Sequence, residues 1–298
     1  MVTNVNASTR LISDYSLEMT AKDLESLRDA RYGIPAGTPV SVTFLPGEDL
    51  PARVAAASAV REYGFIPVPH ISARRLHSYD DLRNFLGRLD QAIQIERAFV
   101  VAGDPPQPMG PFEDALAVIR TGELHKFGVR KVGISGYPEG HPNIPQEKLW
   151  TALKEKHKLL REYGHDVEIM TQFAFDAGSV LTWLERVRQE TAIDVRIRVG
   201  IPGPASVKML LRFATRCGVN ASAKVMAKYG VSITKLVNSA GPEALIDAFA
   251  ERLDRRLHGD VKFHFYSFGG LKKTTDWIND YLGTCGSLDS AGSLQRRP

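Results

Sequence analysis

Apolar, β-branched runs recur eight times along this chain of 298 residues, and stretches with helical spacing separate them. They predict strands at Ile12–Met19, Val40–Phe44, Phe65–Ile71, Arg97–Gly103, Lys131–Pro138, Val167–Phe175, Val195–Pro202 and Val261–Phe268. Strand and helix alternating eight times is the sequence form of a (β/α)8 TIM barrel, a closed parallel sheet inside a ring of helices. The length agrees, because one such barrel takes about 250 residues. Lys22–Tyr32, Leu50–Tyr63 and Gln146–Tyr163 each stop at a glycine (Gly33, Gly64, Gly164), the residue that most easily closes a helix. After the seventh strand, Ala205–Arg216, Ala221–Lys228 and Ile233–Ser239 predict extra helices ahead of Pro242–Leu257. No linker interrupts residues 11–282, which read as one barrel. Residues 1–10 read as a flexible lead, and the Gly/Ser-rich residues 283–298 as a disordered tail.

Composition narrows the function. Hydrophobic residues make up 43% and charged residues 24%, enough for a large core. The net charge is +4, but the Lys and Arg residues are scattered among acids. Nucleic-acid binding would want a basic stripe, and an anionic small molecule suits the excess equally well. Cys217 and Cys285, the only cysteines, form no CxxC and have no His at ligand spacing, so neither a metal site nor a disulfide framework is expected. No secretory signal is expected from residues 1–10, and no apolar run approaches the ~20 residues of a membrane span. The expectation is a cytoplasmic protein with a small-molecule partner, no nucleic acid and no membrane, its oligomeric state left open.

The ends of the predicted strands carry chemistry, and barrel active sites lie at that rim. They read Glu18, Thr43, His70, Gly103-Asp104, Tyr137-Pro-Glu-Gly-His141, Gln172 with Asp176, Pro202–Pro204 and Tyr266-Ser267. A purely structural barrel has no reason to gather so many functional groups there, so an enzyme is expected. Glu18 is either a general acid whose pKa is raised in an enclosed mouth or a cap for the segment near Thr20–Asp23. Gly103-Asp104-Pro105-Pro106 is either a backbone approach to a flat ligand or an ordinary turn. In Tyr137–Pro142 two prolines enclose a Glu and a His, with a Tyr just ahead, which favours binding over structure. Gln172 offers donor and acceptor together, as the edge of a pterin or flavin requires, whereas Phe173 and Phe175 read as packing. His70 is a ligand contact or a core histidine. His77, His125, His157, His165 and His258 have no evident site, and no GxGxxG or Walker loop occurs.

Ser41-Val-Thr-Phe44, Pro69-His70-Ile71, Gly103-Asp104-Pro-Pro, Tyr137-Pro-Glu-x-His-Pro142, Thr171-Gln-Phe-x-Phe-Asp176, Gly200-Ile-x-x-x-x-Ser206 and Phe263-His-Phe-Tyr266 follow one another in this order. From Glu18 to Leu282 the chain thereby resembles the 5,10-methylenetetrahydrofolate reductases. The resemblance implies a (β/α)8 barrel that reduces 5,10-methylenetetrahydrofolate to 5-methyltetrahydrofolate with FAD and NADH or NADPH. It implies that Glu18 is the general acid that helps open the folate's five-membered ring. Asp104 would contact the pterin and favour its cationic form, and Gln172 would touch both folate and nicotinamide. Thr43, Phe44, His70, Gly103, Asp104, Tyr137 and His141 would line the flavin. Departures are Ala102 where the family has Arg, Leu159 and Leu160 near its basic pair, Val207 where an aromatic is common, and Gly269-Gly270 in place of Asn-Arg. Lys272 or Lys273 would then face the folate glutamate. Two alternatives follow: direct hydride transfer from NAD(P)H without flavin, and a catalytically silent folate-binding barrel.

Overall fold

A computed structural model describes residues 9–219 and 239–294. Eight parallel strands close into a barrel: β1 Ser16–Met19, β2 Pro39–Val42, β3 Ile66–Ser72, β4 Arg97–Val101, β5 Lys131–Gly136, β6 Asp166–Phe173, β7 Ile197–Pro202 and β8 Val261–Tyr266. Closure comes where β8 pairs with β1, Ser16 opposite His264 and Glu18 opposite Tyr266. The (β/α)8 fold is therefore as the alternation predicts. The predicted strands match to within a few residues except the first, because residues 9–12 are helical and Ser13 N donates to Thr9 O at 2.8 Å.

Period-two alternation separates the two faces of each strand. Leu17, Met19, Val40, Val42, Val132, Ile134, Ile197, Val199, Phe263 and Phe265 are buried in the core. Burying such a side chain fully stabilises the fold by roughly 1.5–3 kcal/mol. The intervening residues face the barrel axis and are largely polar, among them Ser16, Ser41, Glu168 and Arg198, which line an interior cavity of about 20 Å3. Arg198 is only 2% exposed; its Nε donates to Glu168 Oε1 at 2.7 Å and its Nη1 to the Asp14 carbonyl at 2.5 Å. This polar plug closes the floor, so a ligand must enter from the other rim.

Helices cover the outside: α1 Leu24–Ala30, α2 Leu50–Glu62, α3 Tyr79–Ile93, α4 Ala115–Arg120, α5 Gln146–Glu162, α6 Ala177–Glu190, α7 Val207–Cys217, α8 Glu243–Arg252 and α9 Leu271–Leu294. Side-chain caps start several of them, with Asp49 accepting from Ala52 N at 2.8 Å and Ser78 from Asp81 N at 3.0 Å. Gly64 and Gly164 follow α2 and α5 with φ of +82° and +80°, the left-handed backbone that a glycine stop supplies. Of the extra helices expected after β7, α7 is present. Ala221–Lys228 lies outside the described residues, as does Ile233–Ser239 apart from Ser239, which with Ala240 pairs antiparallel with Ala205–Ser206. Past Leu282, where the sequence reads as a disordered tail, the backbone of α9 runs helically to Leu294. No helix among the described residues is long and apolar enough to cross a membrane.

Candidate active site

Inward-facing residues at the upper ends of β1, β3 and β8 meet around one carboxyl group. Glu18 extends from β1 with its side chain 19% exposed, and its Oε2 lies 4.0 Å from His70 Nε2 and 3.6 Å from His264 Nε2. Neither separation is short enough for a hydrogen bond. His264 is fully buried, its Nδ1 2.8 Å from Ser16 Oγ and its ring edge-on to Tyr266. His70 is buried against Phe99, ring centroids 4.6 Å apart. Glu18 caps no backbone group among the described residues; in the next segment the Asp23 carboxylate accepts from Thr20 N and Thr20 Oγ1 at 2.7 Å each.

Desolvation governs these groups. Burial pushes the Glu18 carboxyl up to about 7, with the nearby His70 opposing the rise. Burial also takes His70 down to about 4 and His264 to about 3, so both rings are neutral near pH 7 and make no ion pair with Glu18. A carboxyl that titrates near neutrality in a barrel mouth is available as a proton donor. The same burial makes stability depend on pH. Raising Glu18 from 4.5 to about 7 gives a contribution present below about pH 4.5 and lost as the pH rises through about 7. Glu18→Gln, which never ionises, should therefore gain on the parent at high pH. Urea unfolding should find the two alike at about pH 4.5 and the variant more stable by up to roughly 3 kcal/mol at about pH 8. Equal stability at both pH values would mean that Glu18 is hydrated rather than desolvated.

The remaining rim residues surround this group unevenly. Thr43, just past β2, is buried, and its Oγ1 has no partner among the described residues. The next residue, Phe44, packs in a cation–π stack, with the Arg53 guanidinium 3.5 Å and that of Arg75 5.4 Å from its ring centre. Gly103 has φ of +92°, and a Cβ there would stand 3.2 Å from Ser72 Cβ. Asp104 is exposed and doubly paired, to Arg75 and, at 3.5 Å, to Arg216. These two arginines bring cations to the place where Ala102 provides none. Tyr137 packs edge-on to His141 at 5.6 Å, and burial raises the phenol. Gln172 sits at the β6 bulge, its Oε1 accepting from Phe173 N at 3.2 Å, while Phe173 and Phe175 are buried. Lys272 pairs with Asp276 at 2.7 Å beside a surface groove of about 650 Å3 whose lining does not include Glu18.

Helix α7 reaches over the mouth. Phe213 stacks on Phe268 at 4.1 Å, and Phe173 and Tyr266 complete an aromatic wall around it. Tyr266 donates to the Thr171 carbonyl at 3.0 Å, a fit that needs Gly200, where a Cβ would lie 2.7 Å from that oxygen and from the Tyr266 ring. His264, Arg75, Arg216 and Phe213 are thus site residues that sequence reasoning assigned no role, and Tyr266 is one it named only as a strand end. The alternation Lys262, His264, Tyr266 against Val261, Phe263, Phe265 already placed His264 on the inner face. The arginines gave no such signal, because they arrive from loop and helix ends.

Comparison with known proteins bears on the fold and the family. A solved structure of an uncharacterized protein from Clostridium thermocellum, which binds two copies of 5-methyl-5,6,7,8-tetrahydrofolic acid, superposes with a TM-score of 0.53 at 10% identity, covering 94% of this chain and 99% of that one. At that identity the likeness shows the shared fold. The family model for methylenetetrahydrofolate reductase matches residues 26–281, most of the barrel and beginning after Glu18. The chain belongs to the methylenetetrahydrofolate reductase family.

Proposed function

We propose that the protein reduces 5,10-methylenetetrahydrofolate to 5-methyltetrahydrofolate at the expense of NAD(P)H. The observation that carries this reading is Glu18, a buried carboxyl titrating near 7 at the barrel mouth, where a silent binding barrel would have no use for an acid. Glu18 gives its proton to the ring nitrogen that leaves. The bond from that nitrogen to the methylene carbon breaks, its electron pair stays on the nitrogen, and the methylene is left as an iminium that accepts hydride. Asp104 places negative charge beside this cation, and its two arginines must yield or share it for that effect to be felt. Gln172 can donate to and accept from ring edges of folate and nicotinamide. Lys272 is a candidate for the folate glutamate once it releases Asp276.

Thr43, His70, Gly103, Tyr137 and His141 are the residues that would hold FAD. They fit a polar ring edge, since Thr43 Oγ1 is buried and unpartnered among the described residues. FAD, when bound, supplies a two-electron relay between nicotinamide and folate. One observation favours the flavin-free alternative: α7 crosses to the β4 and β5 loops through Arg216 on Asp104 and Gly218 against Pro142, which leaves less room for a third ring system. Purified protein incubated anaerobically with 5,10-methylenetetrahydrofolate and NADH or NADPH should form 5-methyltetrahydrofolate, detected by mass spectrometry. Its absorbance spectrum separates the two routes, because bound flavin is yellow. Folate binding without any methyl product would leave the silent-barrel alternative.

A further inference from the structure

His70 and His264 come from opposite sides of β1, yet their Nε2 atoms approach the same atom, Oε2 of Glu18. Both Nε2 atoms are buried and without a hydrogen-bond partner among the described residues. An unmade buried hydrogen bond is unfavourable, so two aimed at one oxygen call for a cause. A protonated carboxyl has one hydrogen and can engage one imidazole through it. A carboxylate oxygen can accept from two N–H groups at once. The convergence thus suits Glu18 after it has given up its proton. Ser16 Oγ, 2.8 Å from His264 Nδ1, settles the tautomer when it donates, since the ring proton then sits on Nε2 facing Glu18.

We propose that His70 and His264 are positioning residues that form a neutral two-imidazole cradle for the Glu18 carboxylate, with Ser16 setting the His264 tautomer. The cradle rests on the folate-reduction reading only for the moment at which the carboxylate forms. As the proton passes to the leaving nitrogen, the O–H bond breaks and its electron pair remains on Oε2. The two N–H groups then close on that oxygen, and neither ring gains or loses a proton. Neutral rings are what this role requires, because an imidazolium beside Glu18 would favour its ionised form and disarm the acid before substrate arrives. Other titratable groups face the carboxyl as well. Tyr266 on β8 and Cys217 at the end of α7 both feel Glu18, and burial holds both in their protonated forms. Tyr137 from the β5 loop couples to each of them. Behind His264 lie Arg198 and Glu168, paired with each other and opposite in effect on the ring. On the rim, Asp104 is compensated by Arg75 and Arg216.

The test reads the carboxyl itself in the ligand-free full chain, by carbon-13 NMR of glutamate δ-carbons with the Glu18 signal identified by its loss in Glu18→Gln. Removing an N–H donor makes the carboxylate less favourable, so the midpoint must rise. His264→Leu should raise it by about one pH unit, and Ser16→Ala by less in the same direction. His264→Gln, whose amide nitrogen reaches the place of Nε2, should bring it back toward the parent. A midpoint that stays put or falls in Ser16→Ala and His264→Leu overturns the cradle, as does a glutamine variant no different from leucine. Should His264→Leu fail to fold, Ser16→Ala decides alone. No turnover enters this measurement. A shifted midpoint in a protein that forms no methyl product would keep the cradle and remove the folate reading; an unmoved midpoint with normal product formation would do the reverse.

Discussion

Glu18→Gln should lower reduction of the folate by about 10²–10⁴-fold, roughly 3–5 kcal/mol in the barrier. The amide keeps the size and polarity of the side chain but has no acidic proton, so the loss should fall on turnover rather than on folate affinity. With folate and nicotinamide cofactor over the mouth and Arg198 plugging the floor, bulk water has poor access to the leaving nitrogen. On the proposed reaction the proton then comes from the Glu18 carboxyl. Steady-state rates and folate binding by calorimetry measure the two effects separately. The competing acid is Glu139 in the Tyr137–Pro142 loop. If Glu139→Gln abolishes product while Glu18→Gln leaves it near normal, the acid belongs to that loop.

The largest loss of stability should come from the opposite end of the barrel. Arg198→Ala removes the guanidinium that neutralises Glu168 and bonds the Asp14 carbonyl, leaving a carboxylate in a nearly closed interior. Breaking a buried ion pair on one side costs roughly 3–5 kcal/mol, because the remaining charge keeps its desolvation penalty without its partner. Urea unfolding should show this loss. Arg198→Met combined with Glu168→Leu should recover much of it, since apolar residues of similar volume remove both charges together. A single variant as stable as the parent would mean that water already enters the floor cavity and hydrates Glu168.

Periodicity made the barrel legible in the sequence, because every strand buries its outward face under helices. Val40 and Val42, Ile197 and Val199, Phe263 and Phe265 obey that rule closely. The first strand was read too long because the apolar Leu11 and Ile12 are buried from a helical turn, and burial alone does not reveal the period. At the site, Glu18, Thr43 and His70 were legible as strand ends, and the structure brings Glu18 and His70 together. Asp104 was legible as a rim carboxylate but not as one held by Arg75 and Arg216, whose long side chains approach from positions 29 and 112 residues away in sequence. Phe44 packs on Arg53, a cation–π contact that the i, i+9 separation gave no means of foreseeing. His264 was hidden in plain alternation, its importance arising only from barrel closure between β8 and β1.

If Glu18 is the acid of folate reduction, the pH dependence of kcat/KM for the folate must carry its titration. An acid must hold its proton, so the rate should fall as the pH rises through about 7, where Glu18 titrates. That alkaline limb should be absent from the residual rate of Glu18→Gln. A limb that persists unchanged in the variant would contradict the assignment.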